Sequence, residues 1–219
     1  IDGVSGNSQN NVFIPKNDSI FIFIEVTVDP SSNTTPYILS DSLLFETGSN
    51  LQSVKLVAWG QDAHFYTPNT FGEIINGNDT TKVFYHQISS NQTWSNEKPH
   101  VIYGYVIIDP NATLNISEGT NVYFHKNSGI LVGNPFSNQL GGTLKVNGNY
   151  ENEVTFQGDR LDSWYEDIPG QWDRIRFLPG SFDNEINYAI IKNGTTGIHA
   201  DTVSNSNPTV TINNTVIKN

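Results

Sequence analysis

Between Gln157 and Trp172 the chain gathers Asp159, Arg160, Asp162, Trp164, Tyr165, Glu166 and Asp167, with Asp173 just beyond. Carboxylates beside aromatic rings suit a sugar. Rings stack on pyranose faces, and a carboxylate pair can do acid–base work across a glycosidic bond. The same residues also suit a structural loop whose aromatics cover the side of a domain while Arg160 and Arg174 pair with the acids. The structural reading is favoured over ligand binding, and ligand binding over catalysis. Asp159, Arg160, Asp162, Trp164, Tyr165, Glu166 and Asp167 are therefore candidates for a ligand-binding loop, and no residue is assigned as catalytic. Trp172 reads as packing.

Other chemistry has less support. His64, His86, His100, His125 and His199 show no pairing at i+2 or i+4, so no metal site is expected and each reads as a surface or turn histidine. Cysteine is absent, which removes disulfides and thiol chemistry. Neither a Gly-x-Ser-x-Gly elbow nor a phosphate loop occurs, and no cofactor is implied. With 11 basic against 22 acidic side chains the net charge is −11, which would repel nucleic acid and anionic membrane. No apolar run reaches the ~18–20 residues that span a bilayer. Methionine is missing even at position 1, which reads as processing or trimming.

The elements that must carry these residues are strands. Charged residues are 15% of a chain rich in Asn, Ser, Thr and Gly, a composition of turns and β structure rather than helices. Ile186-Asn187-x-x-x-Ile191-Lys192-Asn193 returns as Ile212-Asn213-x-x-x-Ile217-Lys218-Asn219, an offset of 26 (212 − 186). Short β-type runs repeating at that length predict stacked coils of a parallel β-helix, with isoleucine over isoleucine inside and an asparagine ladder at a turn. From His100 onward short apolar runs follow one another with Gly or Asn in most gaps. Residues 67–99 pattern weakly and read as a connector. Before them, Ser19 to Pro30, Asp41 to Thr47 and Leu51 to Trp59 predict a three-stranded meander. The expected domains are thus 1–66, 67–99 and 100–219. At Asn219 the chain stops within a repeat, so further coils, a cap or a docked partner are expected there.

Two resemblances sharpen this. Val26-Thr27-Val28-Asp29-Pro30, Asp41-Ser42-Leu43-Leu44-Phe45 and Val54 to Gly60 resemble the closing strands of Ig-like domains of the ASPM-SPD2-Hydin type, without the early strands. The runs Val106 to Asp109, Ala112 to Val122, Gly142 to Gly148, Val154 to Leu161, Ile168 to Trp172, Gly180-Ser181 and Ile186 to Asn193 resemble right-handed parallel β-helix repeat proteins of the bacterial cell surface. The likeness is closest to lipid-anchored proteins of Bacteroidota. Together they imply an all-β chain: a right-handed parallel β-helix preceded by a small Ig-like β-sandwich lacking its first strands.

The resemblance implies location better than activity. It points to a non-catalytic binding or scaffold protein at the cell surface, anchored to the outer membrane through residues outside this chain. Its partner would be a protein of an outer-membrane assembly, or a glycan. The alternative is a polysaccharide lyase or glycoside hydrolase working along the β-helix flank. Pectate-lyase-type β-helices bind Ca²⁺ through clustered Asp and use Arg as the base. Asp159, Asp162, Asp167 and Asp173 with Arg160, Arg174 or Arg176 could imitate that, but their spacing fits no calcium motif and the structural reading is favoured. Asp-Ser/Thr triplets place candidate O-glycosylation at Ser19, Ser42, Thr80 and Thr202, resembling the acceptor triplet of exported Bacteroidota proteins.

Overall fold

The computed structural model describes residues 6–25, 38–59, 62–77, 79–161, 163–201 and 208–218. It forms two compact units, Ile1–Asp62 and Ala63–Asn219.

In the first unit, β1 (Ile38–Thr47) and β2 (Asn50–Trp59) make an antiparallel hairpin that turns at Gly48, where φ is 61°. Its register pairs Leu43 with Val54 and Phe45 with Gln52, so Leu43, Phe45 and Val54 share one face. The expected meander has three strands and the described residues have two. Ser19–Glu25 lies outside any strand, with Phe21 80% and Phe23 94% exposed. A strand exists only where its backbone finds a ladder, and apolar alternation alone supplies none. Residues 26–30, the rest of that expected strand, lie outside the described residues.

Among its described residues the second unit is all-β except for one 3₁₀ turn at Ser163–Tyr165. Its first sheet holds β3 (His64–Tyr66), β7 (His100–Ile102), β10 (Asn121–Phe124), β13 (Val154–Gly158), β16 (Ala189–Lys192) and β19 (Val216–Lys218). The second holds β4 (Thr70–Asn76), β5 (Asp79–Ile88), β8 (Tyr105–Ile108), β11 (Gly129–Val132), β14 (Trp172–Phe177) and β17 (Gly194–Ala200). The third holds β6 (Gln92–Trp94), β9 (Thr113–Ser117), β12 (Thr143–Asn147), β15 (Asn184–Asn187) and β18 (Val210–Asn213). The chain visits the three sheets in rotation. From β8 onward each strand lies parallel to the one three places earlier, and among the described strands of this unit the β4–β5 pair is the antiparallel one.

Stacking in register turns sequence alternation into columns. Val122, Phe156 and Ile191 lie over one another, as do Val106, Ile130 and Ile175, and Ile116, Val146 and Ile186. All nine are 0% exposed. Each such side chain contributes roughly 1.5–3 kcal/mol relative to leaving it in water. Phe124 stacks on Trp172 with ring centroids 4.1 Å apart, and the Trp172 indole donates to the Lys192 carbonyl at 2.8 Å. Trp172 is core, as its sequence context suggests.

The 26-residue repeat is seen directly. Ile212 pairs with Ile186 and Asn213 with Asn187, and the Asn213 amide donates to the Asn187 side-chain oxygen at 2.8 Å. The next residue turns the corner with φ of 48° at both Tyr188 and Asn214. The coiled arrangement begins earlier than the sequence suggests. Segment 67–99, expected as a connector, contributes β4, β5 and β6, and β5 and β6 pair in parallel with β8 and β9.

Candidate functional site

The loop from Asp159 to Gln171 leaves β13 and enters β14, so its two ends are fixed by neighbouring sheets. Polar side chains beneath it hold its shape. Asn193, 3% exposed at a corner where φ is 64°, donates to the carbonyls of Glu166 at 2.9 Å and Ile168 at 3.1 Å. Gln171 donates to the carbonyls of Tyr165 and Ile168 at 2.6 and 2.8 Å. Arg160 lies over the Tyr165 ring, 4.0 Å from its centroid.

Among the described residues the predicted carboxylates do not converge on one another; of the predicted set, Arg160 and Tyr165 meet. Asp159 takes a 2.7 Å hydrogen bond from the His125 ring. Asp167 faces Lys218 at 3.4 Å. Glu166 is exposed and contributes its carbonyl rather than its carboxylate to the loop clamp. Trp164 is 77% exposed, and Asp162 lies outside the described residues. Asp173, on the second sheet, accepts from the Tyr105 hydroxyl and from Arg174. Burial, and then that contact with Asp173, pushes the Tyr105 phenol up to about 12. Among the described residues no three His, Asp or Glu side chains gather as a metal would require.

Of the histidines, His100 departs from the expected surface setting. It is 3% exposed and stacks on Trp94 with centroids 4.8 Å apart. Its Nδ1 lies 2.9 Å from the Tyr66 hydroxyl and its Nε2 3.0 Å from the Ser95 carbonyl. Both ring nitrogens are thus satisfied by a neutral imidazole that donates from Nε2. A lone histidine gives no sequence sign that it points inward.

Two outer faces carry organised polar side chains. On the second sheet Arg174 reaches His199 at 3.0 Å, His199 reaches Asp201 at 3.2 Å, and Arg176 holds Asp201 through two contacts of 3.2 and 3.1 Å. The charges of this network are mutually paired. On the first sheet an open cleft of about 530 Å³ runs across the last coils. One side of its floor is the column Asn121, Thr155, Ile190, Val216; the other ends in Gln157, Lys192 and Lys218. Asp167, reaching Lys218, brings the 159–171 loop to the rim of this cleft.

The loop stands out in composition, and the floor does not. The signal was present, since the repeat contains Ile-Lys-Asn twice and places Lys218 on Lys192. Comparison of the chain with protein-family models, with curated proteins and with solved structures gave no match.

Proposed function

We propose that this chain is a non-catalytic binding or scaffold protein of the cell surface, an accessory subunit of an outer-membrane complex. In this reading the 63–219 unit is a right-handed parallel β-helix and the β1–β2 hairpin belongs to an Ig-like sandwich. The observation that carries it is the arrangement of the carboxylates. Asp159, Asp167 and Asp173 each engage a different partner, while the open cleft is floored by lysine, amide, hydroxyl and aliphatic side chains. Such a surface can hold a ligand, and among the described residues it offers no pair of carboxylates facing each other across it. Exposed Ser19, Ser42 and Thr80 suit the export reading as O-glycan acceptors, which intact mass from the native host would reveal; Thr202 lies outside the described residues. The deciding experiment is gentle solubilisation of native membranes and co-purification. A stoichiometric protein partner, with no turnover of offered polysaccharides, is expected. A chain that purifies alone and releases reducing ends from a glycan would instead be a lyase or hydrolase.

A further inference from the structure

We propose that the cleft on the outer face of the first sheet binds a carboxylated polysaccharide laid along the stacked columns. The inference rests on the binding-protein reading above and names a ligand for it. Its first support is a pair of cations. Lys192 and Lys218 are register partners on adjacent parallel strands, so two like charges stand side by side. Lys192 makes no ion pair among the described residues. Lys218 has only Asp167, at 3.4 Å between two largely exposed groups, a contact of little strength. Two other basic side chains on the sheet faces are matched: Lys145 sits between Asp183 at 2.9 Å and Glu185 at 2.8 Å, and Arg176 is held by Asp201. In a protein of net charge −11, an adjacent cation pair within a cleft is a place for an anion.

The surroundings select a sugar. Thr155 and Gln157 offer the hydroxyl and amide that pair with sugar hydroxyls. Trp164, 77% exposed, stands in the loop that reaches the cleft at Asp167, where a ring can take a pyranose face. Parallel strands recur about every 4.8 Å, on the order of one sugar residue. A linear chain along the columns therefore meets Gln157, Lys192 and Lys218 on successive strands. The net charge of −11 repels any polyanion at long range, nucleic acid and acidic sugar alike, so selection rests on the local lysine pair and the hydroxyl and amide beside it.

The test is calorimetric titration of the full chain at low salt with hexagalacturonate, hexamannuronate, the methyl ester of hexagalacturonate and hexaglutamate. At least one of the two acidic hexasaccharides should bind, with the ester of hexagalacturonate and the peptide roughly tenfold weaker or more. Lys192→Gln and Lys218→Gln should each weaken binding about five- to tenfold, and Trp164→Ala by a similar factor, with far-UV spectra unchanged because these are surface positions. Failure of both acidic sugars, equal binding of ester or peptide, or indifference to the lysine changes would overturn the proposal. A stable membrane partner with no sugar binding would remove this ligand and leave the scaffold reading. Cleavage of a bound probe would do the reverse.

Discussion

At the scale of the residue, His100 has the clearest measurable consequence. Burial is the main reason its pKa falls from 6.5 to about 4; the nearby His64 adds to the fall, and the hydrogen bond to Ser95 opposes it. The unfolded chain takes up this proton near pH 6.5, the folded chain only near pH 4. Between those values the unfolded state binds more protons, so stability is full above about 6.5 and declines as pH falls. The loss approaches about 2–3 kcal/mol by pH 4. His100→Phe keeps a ring against Trp94 and removes the titration. Thermal melts from pH 7 to 4 should fall less steeply for the variant than for the wild type, and equal slopes would refute the assignment. None of this was legible in the sequence, because a single histidine looks the same pointing in or out. Other residues were legible: Trp172 as packing, and Asn187 with Asn213 as a ladder, since each had a repeat or an apolar context to place it.

Among the elements, the loop between β13 and β14 is the one whose composition suggested chemistry and whose geometry shows a clamp. Asn193 supplies two of the hydrogen bonds that fold it, from a position whose φ of 64° also suits glycine. Asn193→Gly therefore tests the side chain while sparing the backbone. Losing two buried hydrogen bonds should ease local opening by about 2 kcal/mol, giving roughly tenfold to thirtyfold faster tryptic cleavage after Arg160. Far-UV spectra should be unchanged, and wild-type cleavage rates would exclude the clamp. The repeat pointed to Asn193, but not to what it holds. Register explains why the sequence disclosed so little of the coil. Partners in successive turns are separated by 26 residues at Ile190–Val216, 34 at Asn121–Thr155 and 45 at Ile130–Ile175. Only where the turn lengths agree does a column appear as a sequence repeat. The same unequal spacing hid β4, β5 and β6 in a stretch that looked irregular.

For the whole molecule, the coil containing β17, β18 and β19 sets charge against apolar surface. Ile191 and Ile186 are 0% exposed, yet the residues stacked on them, Ile217 and Ile212, are 49% and 40% exposed, with Val216 at 54%. Among the described residues no strand pairs with the outer edges of β17, β18 and β19. Unpaired backbone beside apolar side chains is a template for pairing with another chain. Opposing it is the net charge of −11, which keeps copies apart at low ionic strength. At 0.01 M salt that repulsion extends about 30 Å, and at 0.15 M about 8 Å. Salt should therefore promote association through this rim, the reverse of its effect on an interface made of ion pairs. Sedimentation velocity across protein and salt concentration should show the 219-residue chain shifting toward larger species as salt rises. Ile217→Lys places a charge on the rim, a device by which exposed strand edges are kept apart, and should hold the chain monomeric under the same conditions. A wild-type chain that stays monomeric at high salt, or a variant that associates equally, would show that this edge is not what drives assembly.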